Sequence, residues 1–283
     1  AEVPPDVADV LQRASDIWSS SVAKFQRMAD LADVEDHRVR GTRVFAGGPA
    51  TGRYSSHGLQ LQNMVRKTAK DPEGVRQIML RGGKLDDVSA TLKSMIRPAL
   101  MAAPGKVLIV SDWSAIEGRV NPWLSTKGED KLQVFRDKLD PYKVNASATF
   151  GVHYDAVTGD QRQVGKVQEL ALGFGGSVGA FASMGRIYGL HVSEAEAMVM
   201  VQAWRRANPW AVGYWSELER AYLGAMRNKN TEFTVGRVTY LFDGQHLWYM
   251  LPSGRVLCYP YARFDADGGV SYAKSAWKPK ADA

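Results

Sequence analysis

An α+β fold is expected from this 283-residue sequence on three counts. Apolar residues recur at the 3.6-residue helical period through most of the chain. The last fifth alternates apolar and polar residues between Gly and Pro punctuation, the pattern of hairpins. A Gly-rich, basic, β-like insert, Arg38 to Asn63, interrupts the helical part near its start. There is no internal repeat and no low-complexity tract, so one dominant domain is expected.

Each element follows in order. Over residues 5–32, Val7, Val10, Leu11, Ala14, Ile17, Trp18, Val22, Phe25, Met28 and Leu31 predict one or two amphipathic helices. Residues 85–98 read as a helix ending at Arg97-Pro98, because proline disfavours helical backbone in the residue before it. Lys106-Val-Leu-Ile-Val-Ser-Asp112, bounded by Pro104-Gly105, predicts a buried β-strand. A helix from about 115 to 125 follows, and then helices over 129–150 and 159–174 separated by a turn around Gly151–Gly159. Gly173, Gly175, Gly176 and Gly179 mark a bend. Helices over about 193–206 and 210–227 flank Asn208-Pro209. Strands are expected around Glu232–Val235, Arg237–Phe242, Leu247–Leu251 and up to Tyr259.

Composition narrows the function classes. No apolar run approaches the roughly 18 residues of a membrane span, and no secretory signal opens the chain, so a cytoplasmic protein without a membrane partner is expected. The single cysteine, Cys258, excludes an internal disulfide framework and a Cys-rich zinc module, and reads as a small buried hydrophobe. Net charge is +6 and unevenly spread: residues 38–106 hold 13 Lys/Arg against 4 Asp/Glu, leaving 23 against 26 elsewhere. A concentrated basic stretch beside a near-neutral body points to a polyanion partner.

Three constellations carry chemistry. Asp112, at the end of the expected strand, offers an oxygen ligand for Mg²⁺, with a second carboxylate, Glu117, five residues on; taken alone, Asp112 reads equally as a helix-start cap. Arg162, Lys166, Leu170 and Phe174 are spaced four apart and so share a helix face, two cations followed by two apolar groups. Such a face suits a nucleotide, triphosphate at one end and base at the other. In Thr51-Gly-Arg53-Tyr-Ser55-Ser-His-Gly-Leu-Gln-Leu-Gln62-Asn63, glycines allow close backbone approach, while Arg, Ser, Gln and Asn are phosphate and minor-groove partners.

Asp112-Trp-Ser-Ala-Ile-Glu117-Gly-Arg119 resembles motif A of the family A DNA polymerases, the group related to bacterial DNA polymerase I. Arg162-x-x-x-Lys166-x-x-x-Leu170-x-x-x-Phe174-Gly175 resembles motif B, and Thr51-Gly-Arg53-x-Ser55-Ser with Leu61-Gln62-Asn63 resembles the family's primer–template element. Together with Leu251-Pro-Ser-Gly-Arg255, the likeness runs over about residues 20–262 and looks most like phage or prophage-type members. It implies a palm of antiparallel sheet elements with a helical fingers subdomain. Residues 1–37 would be a helical entry, 38–128 palm with the primer–template region and motif A, 129–228 fingers with motif B, and 229–283 a β-rich palm element.

The resemblance implies DNA-directed DNA polymerisation in a bacterial cell infected by or carrying the phage, with primer–template DNA and a deoxynucleoside triphosphate as partners. Asp112 would hold Mg²⁺ in a two-ion site, Glu117 would exclude ribonucleotides, and Arg162 and Lys166 would meet the phosphates, Lys166 the one nearest the reaction. Phe174 would stack near the templating pair. Leu170 stands where relatives carry Phe or Tyr, and Arg53, Ser55, Gln62 and Asn63 would grip the duplex. The family's second metal-binding aspartate comes from a His-Asp-Glu motif, and no His here precedes an Asp. Asp243, Asp265 and Asp267 stand in turn-like contexts. Two readings therefore stay open: a family A DNA polymerase present as a palm-and-fingers segment, and a non-catalytic or partner-completed fragment that binds primer–template and nucleotide.

Overall fold

The computed structural model describes Val7, Val10 and residues 22–48 and 51–273. Most of the expected helix over 5–32 lies outside these residues. The chain divides into two compact units, Ala1–Ser111 and Asp112–Ala283. Helices and small antiparallel sheets make up both, so the class is α+β.

The first unit holds α1 (Ala23–Leu31), a short hairpin of β1 (Arg43–Val44) and β2 (Ser55–Ser56), a 3-10 turn at Leu61–Asn63, α2 (Pro72–Leu80) and α3 (Val88–Met95). Its core is Leu59, Met64 and Ile96 under Phe25, Met28 and Leu31. Both α2 and α3 start at an aspartate, Asp71 and Asp87, whose carboxylate accepts from the third backbone N–H along. The β-like insert and the helix ending before Pro98 are as the sequence predicts; α2, with Val75, Ile78 and Met79 at helical spacing behind Asp71-Pro72, was not expected.

Lys106–Ser111 departs from expectation. It is neither a strand nor buried: Ile109 and Val110 are each 90% exposed. A strand needs a neighbour for its N–H and C=O groups, and a run apolar on both faces needs cover on both. Among the described residues every strand pairs with another partner.

The second unit holds α4 (Ile116–Ser125), α5 (Glu129–Arg136), α6 (Pro141–Phe150), α7 (Gly159–Leu172), α8 (Val178–Ile187), α9 (Glu194–Ala207) and α10 (Pro209–Arg227). The helix expected over 129–150 is two helices. Lys138 turns at φ 57, and Asp140-Pro141 restarts the chain with Asp140 as cap and Pro141 at the first turn, where its missing N–H costs nothing. α8 also was not expected, because the glycines before it read only as a bend. The main core lies between α7, α8, α9 and α10, with Val167, Leu172, Phe181, Val201 and Trp204 buried.

The sheet β3 (Phe233–Val235), β4 (Val238–Phe242), β5 (Leu247–Met250) and β6 (Val256–Tyr259) is an antiparallel meander in that order, and β7 (Arg263–Phe264) pairs β8 (Val270–Ser271). Tyr240 pairs with Tyr249, their rings 4.8 Å apart, on the face that packs against α10 through Tyr222. Cys258 is exposed, not buried as expected, because strand parity puts it with Val256 on the other face of an edge strand. Asp243 closes the β4–β5 turn, accepting from Gln245 N, His246 N and the Trp248 indole. Burial pushes its carboxyl up, yet these bonds outweigh burial and hold it below the usual range.

Two close approaches set the geometry around α7. A Cβ on Gly165 would fall 2.0 Å from the Tyr142 carbonyl oxygen, so α6 and α7 touch backbone to backbone. A Cβ on Gly236 would fall 2.2 Å from the Leu124 carbonyl oxygen, and Arg237 N donates to that oxygen at 2.9 Å. The β3–β4 turn thus braces the C-terminal end of α4, with the Arg237 guanidinium 4.6 Å from the Trp123 ring. Gly165→Ala should separate α6 from α7 and destabilise the fold by about 1–3 kcal/mol, measured as a lower melting temperature; Gly213→Ala, where a Cβ meets nothing within 4 Å, serves as the control and should be near neutral.

Candidate nucleotide-binding helix and acidic loop

α7 is a strongly specified helix. Its cap is reciprocal: Gln161 N donates to Thr158 Oγ1 at 3.3 Å and Thr158 N donates to Gln161 Oε1 at 3.0 Å. Val164, Val167, Ala171 and Leu172 face the core. Gln168, fully buried, donates to Thr149 Oγ1 and the Met200 carbonyl, both at 2.9 Å, which ties α7 to α6 and α9. The remaining face carries Arg162, Lys166 and Leu170, all half-buried.

Both cations are held by local partners. Arg162 Nε donates to Asp140 Oδ2 at 2.6 Å, and its guanidinium lies 5.1 Å from the Tyr142 ring. Asp140 is also the cap of α6, its Oδ1 accepting from Tyr142 N at 2.9 Å. Burial, followed by the Glu169 and Asp140 charges, pushes the Tyr142 phenol up, against a smaller opposing effect of Arg162. Lys166 Nζ sits 4.3 Å from the centre of the Tyr188 ring. A cation over an aromatic face is attracted to it and loses freedom, so Lys166 is oriented.

Phe174 does not share the helix with these residues. α7 ends at Leu172, and Phe174 lies in the following turn, 69% exposed. Gly175 at φ 82 ends the helix, and a Cβ on Gly176 would strike the Ala171 carbonyl oxygen at 2.0 Å. Glycine at these positions makes the turn possible.

Glu117 lies in the first turn of α4, exposed. Ala115, in the left-handed region at φ 49, turns the extended Asp112 segment into that helix; a non-glycine residue there is strained by about 1–3 kcal/mol. Asp112 does not cap α4, whose cap position is Ala115. Arg119, the remaining residue of the motif, donates from Nε to the Ser114 carbonyl at 2.9 Å and covers the Phe135 ring at 4.2 Å. Asn121 Nδ2 donates to the Gly173 carbonyl at 2.7 Å, joining α4 to the end of α7. Glu117 and Phe174 line one narrow cleft with Lys131, Glu169, Trp204 and Trp210.

Asp112 is exposed, and among the described residues no group of three or more His, Cys, Asp or Glu could hold a metal ion. Asp243, Asp265 and Asp267 are engaged in turns, Asp265 by the Ser271 hydroxyl and Asp267 by Gly269 N. The donors here do not by themselves make a two-ion site.

The remaining predicted residues belong to the first unit. Arg53, Gln62 and Asn63 are exposed and Ser55 half-buried in β2. Leu59 and Met64 point into the core while Gln60, Gln62 and Asn63 point out, so alternate positions anchor the segment and present amides. Asn63 Nδ2 donates to Gln60 Oε1 at 3.2 Å, and Ser56 Oγ donates to Gln62 Oε1.

The model of DNA polymerase family A matches residues 9–245. A DNA polymerase of Bacillus phage SP02 is 34% identical over 268 residues, 91% of this chain and 41% of that protein. DNA polymerase I of Pseudomonas aeruginosa is 31% identical over 192 residues, 68% of this chain and 18% of that protein. The chain thus spans less than half the length of either relative. Among solved structures, the POL domain of Pol1 from M. smegmatis in complex with DNA primer-template and dNTP aligns at a TM-score of 0.48 and 19% identity, over 71% of this chain and 30% of that one. No described helix is long and apolar enough to cross a membrane.

Asp140 serves two partners, which two substitutions separate. Asp140→Asn keeps a good cap and loses the Arg162 ion pair; Asp140→Ala loses both. Thermal melting should show the alanine variant less stable than the asparagine variant by about 0.5–2 kcal/mol, and equal melting of the two would show that the cap contributes nothing.

Proposed function

We propose that this chain, which belongs to DNA polymerase family A, selects the nucleotide and grips the primer–template for DNA-directed DNA polymerisation in a bacterial cell. The observation that carries this is the arrangement of the second unit. α7 presents Arg162 and Lys166 on its half-buried face, and the turn after it presents Phe174 across a narrow cleft from Glu117, a cleft that neither cation lines. The cations bind the triphosphate, and Phe174 gives a base a face to stack on, worth about 1–3 kcal/mol. Leu170 packs beneath the nucleotide. Glu117, in the first turn of α4, occupies the space a ribose 2′-hydroxyl would need. Pairing of Arg162 with Asp140 and of Lys166 with Tyr188 holds the cations in place before a substrate arrives, so less freedom is lost on binding.

In the first unit, Arg53, Ser55, Gln62 and Asn63 hold the duplex through backbone and minor-groove contacts, reading shape more than sequence, within a basic stretch that attracts phosphate. Asp112 is assigned as one Mg²⁺ ligand. A second carboxylate is assigned to polypeptide outside the described residues, in this protein or a second one. The exposed apolar run Val107–Val110 beside Asp112 favours that assignment, since it is a strand sequence open to neighbours. The same observation keeps the second reading alive, a module that binds primer–template and nucleotide without chemistry.

The test uses the full chain with a primer–template, Mg²⁺ and each of the four deoxynucleoside triphosphates. Template-directed retention of the complementary nucleotide is expected, and Arg162→Ala or Lys166→Ala should weaken it by about tenfold or more, as the loss of a charge-assisted contact. Equal retention of all four would contradict the proposal. Extension of the primer, lowered by about a thousandfold in Asp112→Ala for a loss of some 4 kcal/mol, would decide for the catalytic reading; selective binding without extension would decide for the module.

A further inference from the structure

Outside the residues assigned above, the second unit contains a buried charge pair. Lys131 of α5 and Glu169 of α7 lie 2.7 Å apart with side chains 6% and 9% exposed. Asn145 of α6 donates through Nδ2 to the same Oε2 of Glu169 at 2.8 Å and to the Gly165 carbonyl at 3.3 Å. The other carboxylate oxygen, Oε1, faces α4: a Cβ on Gly118 would stand 2.6 Å from it and 3.4 Å from the Phe135 ring. One carboxylate on α7 thus meets α4, α5 and α6.

Stability is a poor account of this cluster. Removing two charges from water costs about as much as their attraction returns, and apolar residues of the same volume often serve as well or better. What an ion pair with an amide adds is direction, because each atom has one acceptable place. That direction is exerted on the peptide next to Glu117. Gly118 leaves room for the Glu169 carboxylate against α4, and one turn further Asn121 is bonded to the Gly173 carbonyl beside Phe174. The cleft between Glu117 and Phe174 has room for little more than one water-sized molecule, so a small change in the α4–α7 spacing is large relative to it.

We infer that Lys131, Glu169 and Asn145 are positioning residues for Glu117: they set the distance between α4 and α7, and with it the discrimination between deoxyribose and ribose. The inference rests on the reading of α7 as the nucleotide helix and Glu117 as the group that excludes the 2′-hydroxyl. Lys131 and Glu169 line the same cleft as Glu117 with their charges turned to one another, and they act through α4. Gly118 belongs to the same device, since any side chain there displaces the carboxylate from Lys131.

The test is the ratio of dissociation constants for UTP and dUTP, which differ only at the 2′ position, read by tryptophan fluorescence on the full chain, with thermal melting beside it. The double variant Lys131→Met with Glu169→Leu removes both charges together and should melt near the parent temperature. Its dUTP affinity should stay within a factor of two or three, about the size of a rearranged contact, while the UTP:dUTP ratio falls by about tenfold. Gly118→Ala should move the ratio in the same direction with the fold intact. A parent-like ratio in both variants overturns the inference and leaves the reading of Glu117 standing. A parent that binds UTP as tightly as dUTP overturns that reading and the inference with it. If the double variant fails to fold, Gly118→Ala alone decides: a lowered ratio supports the device, an unchanged one refutes it.

Discussion

At Gly165 the backbones of α6 and α7 come closer than any side chain would allow, with the Tyr142 carbonyl oxygen where a Cβ would be. Everything α7 presents is placed from this point. One residue further, Lys166 is turned outward over Tyr188; three further, Gln168 is locked between Thr149 and the Met200 carbonyl. One more residue along, Glu169 meets Lys131 and Asn145. A helix held by its backbone and by buried amides cannot roll, so Arg162, Lys166 and Leu170 keep one bearing. Interiors packed this closely transmit displacement from one helix to the next, and α4 is tied into the same frame through Asn121 and the Gly236 turn.

The electrostatics follow the same design. Three charged groups of α7 already have a partner within the protein: Asp140 for Arg162, an aromatic face for Lys166, Lys131 for Glu169. Partly exposed pairs such as Arg162–Asp140 contribute little stability in water. Their effect is to fix where positive charge stands, which matters for a flexible polyanion that loses its own freedom on binding. The buried pair differs in kind, because breaking it would strand a charge away from water.

Much of this was legible in the sequence, for identifiable reasons. Capped helices are specified locally: Thr158 with Gln161, and Asp140 with Pro141, are close neighbours in sequence, and the second pair divides the stretch 129–150 expected as one helix. The hairpins of β3–β6 follow from alternation. Lys106–Ser111 misled because a β-type composition describes what a segment prefers, and pairing requires strands that composition cannot supply. Phe174 misled in a smaller way: spacing by four continued through glycines that end α7 first. The Lys131–Glu169 pair was beyond reading, since 38 residues separate its members and a lysine on a helix looks like solvated surface. Even the motif spacing that identified Glu117 and Arg162 says nothing of the Gly118 contact that joins their helices.

The central claim is that α7 and the first turn of α4 form one nucleotide-binding unit. Hydrogen–deuterium exchange of the full chain with and without a deoxynucleoside triphosphate tests it most directly, because exchange reports local opening along the backbone. The account predicts slower exchange over Arg162–Phe174 and Ile116–Asn121 together, with β3–β6 unchanged. Protection confined to the sheet, or none on α7 at saturating nucleotide, would contradict it.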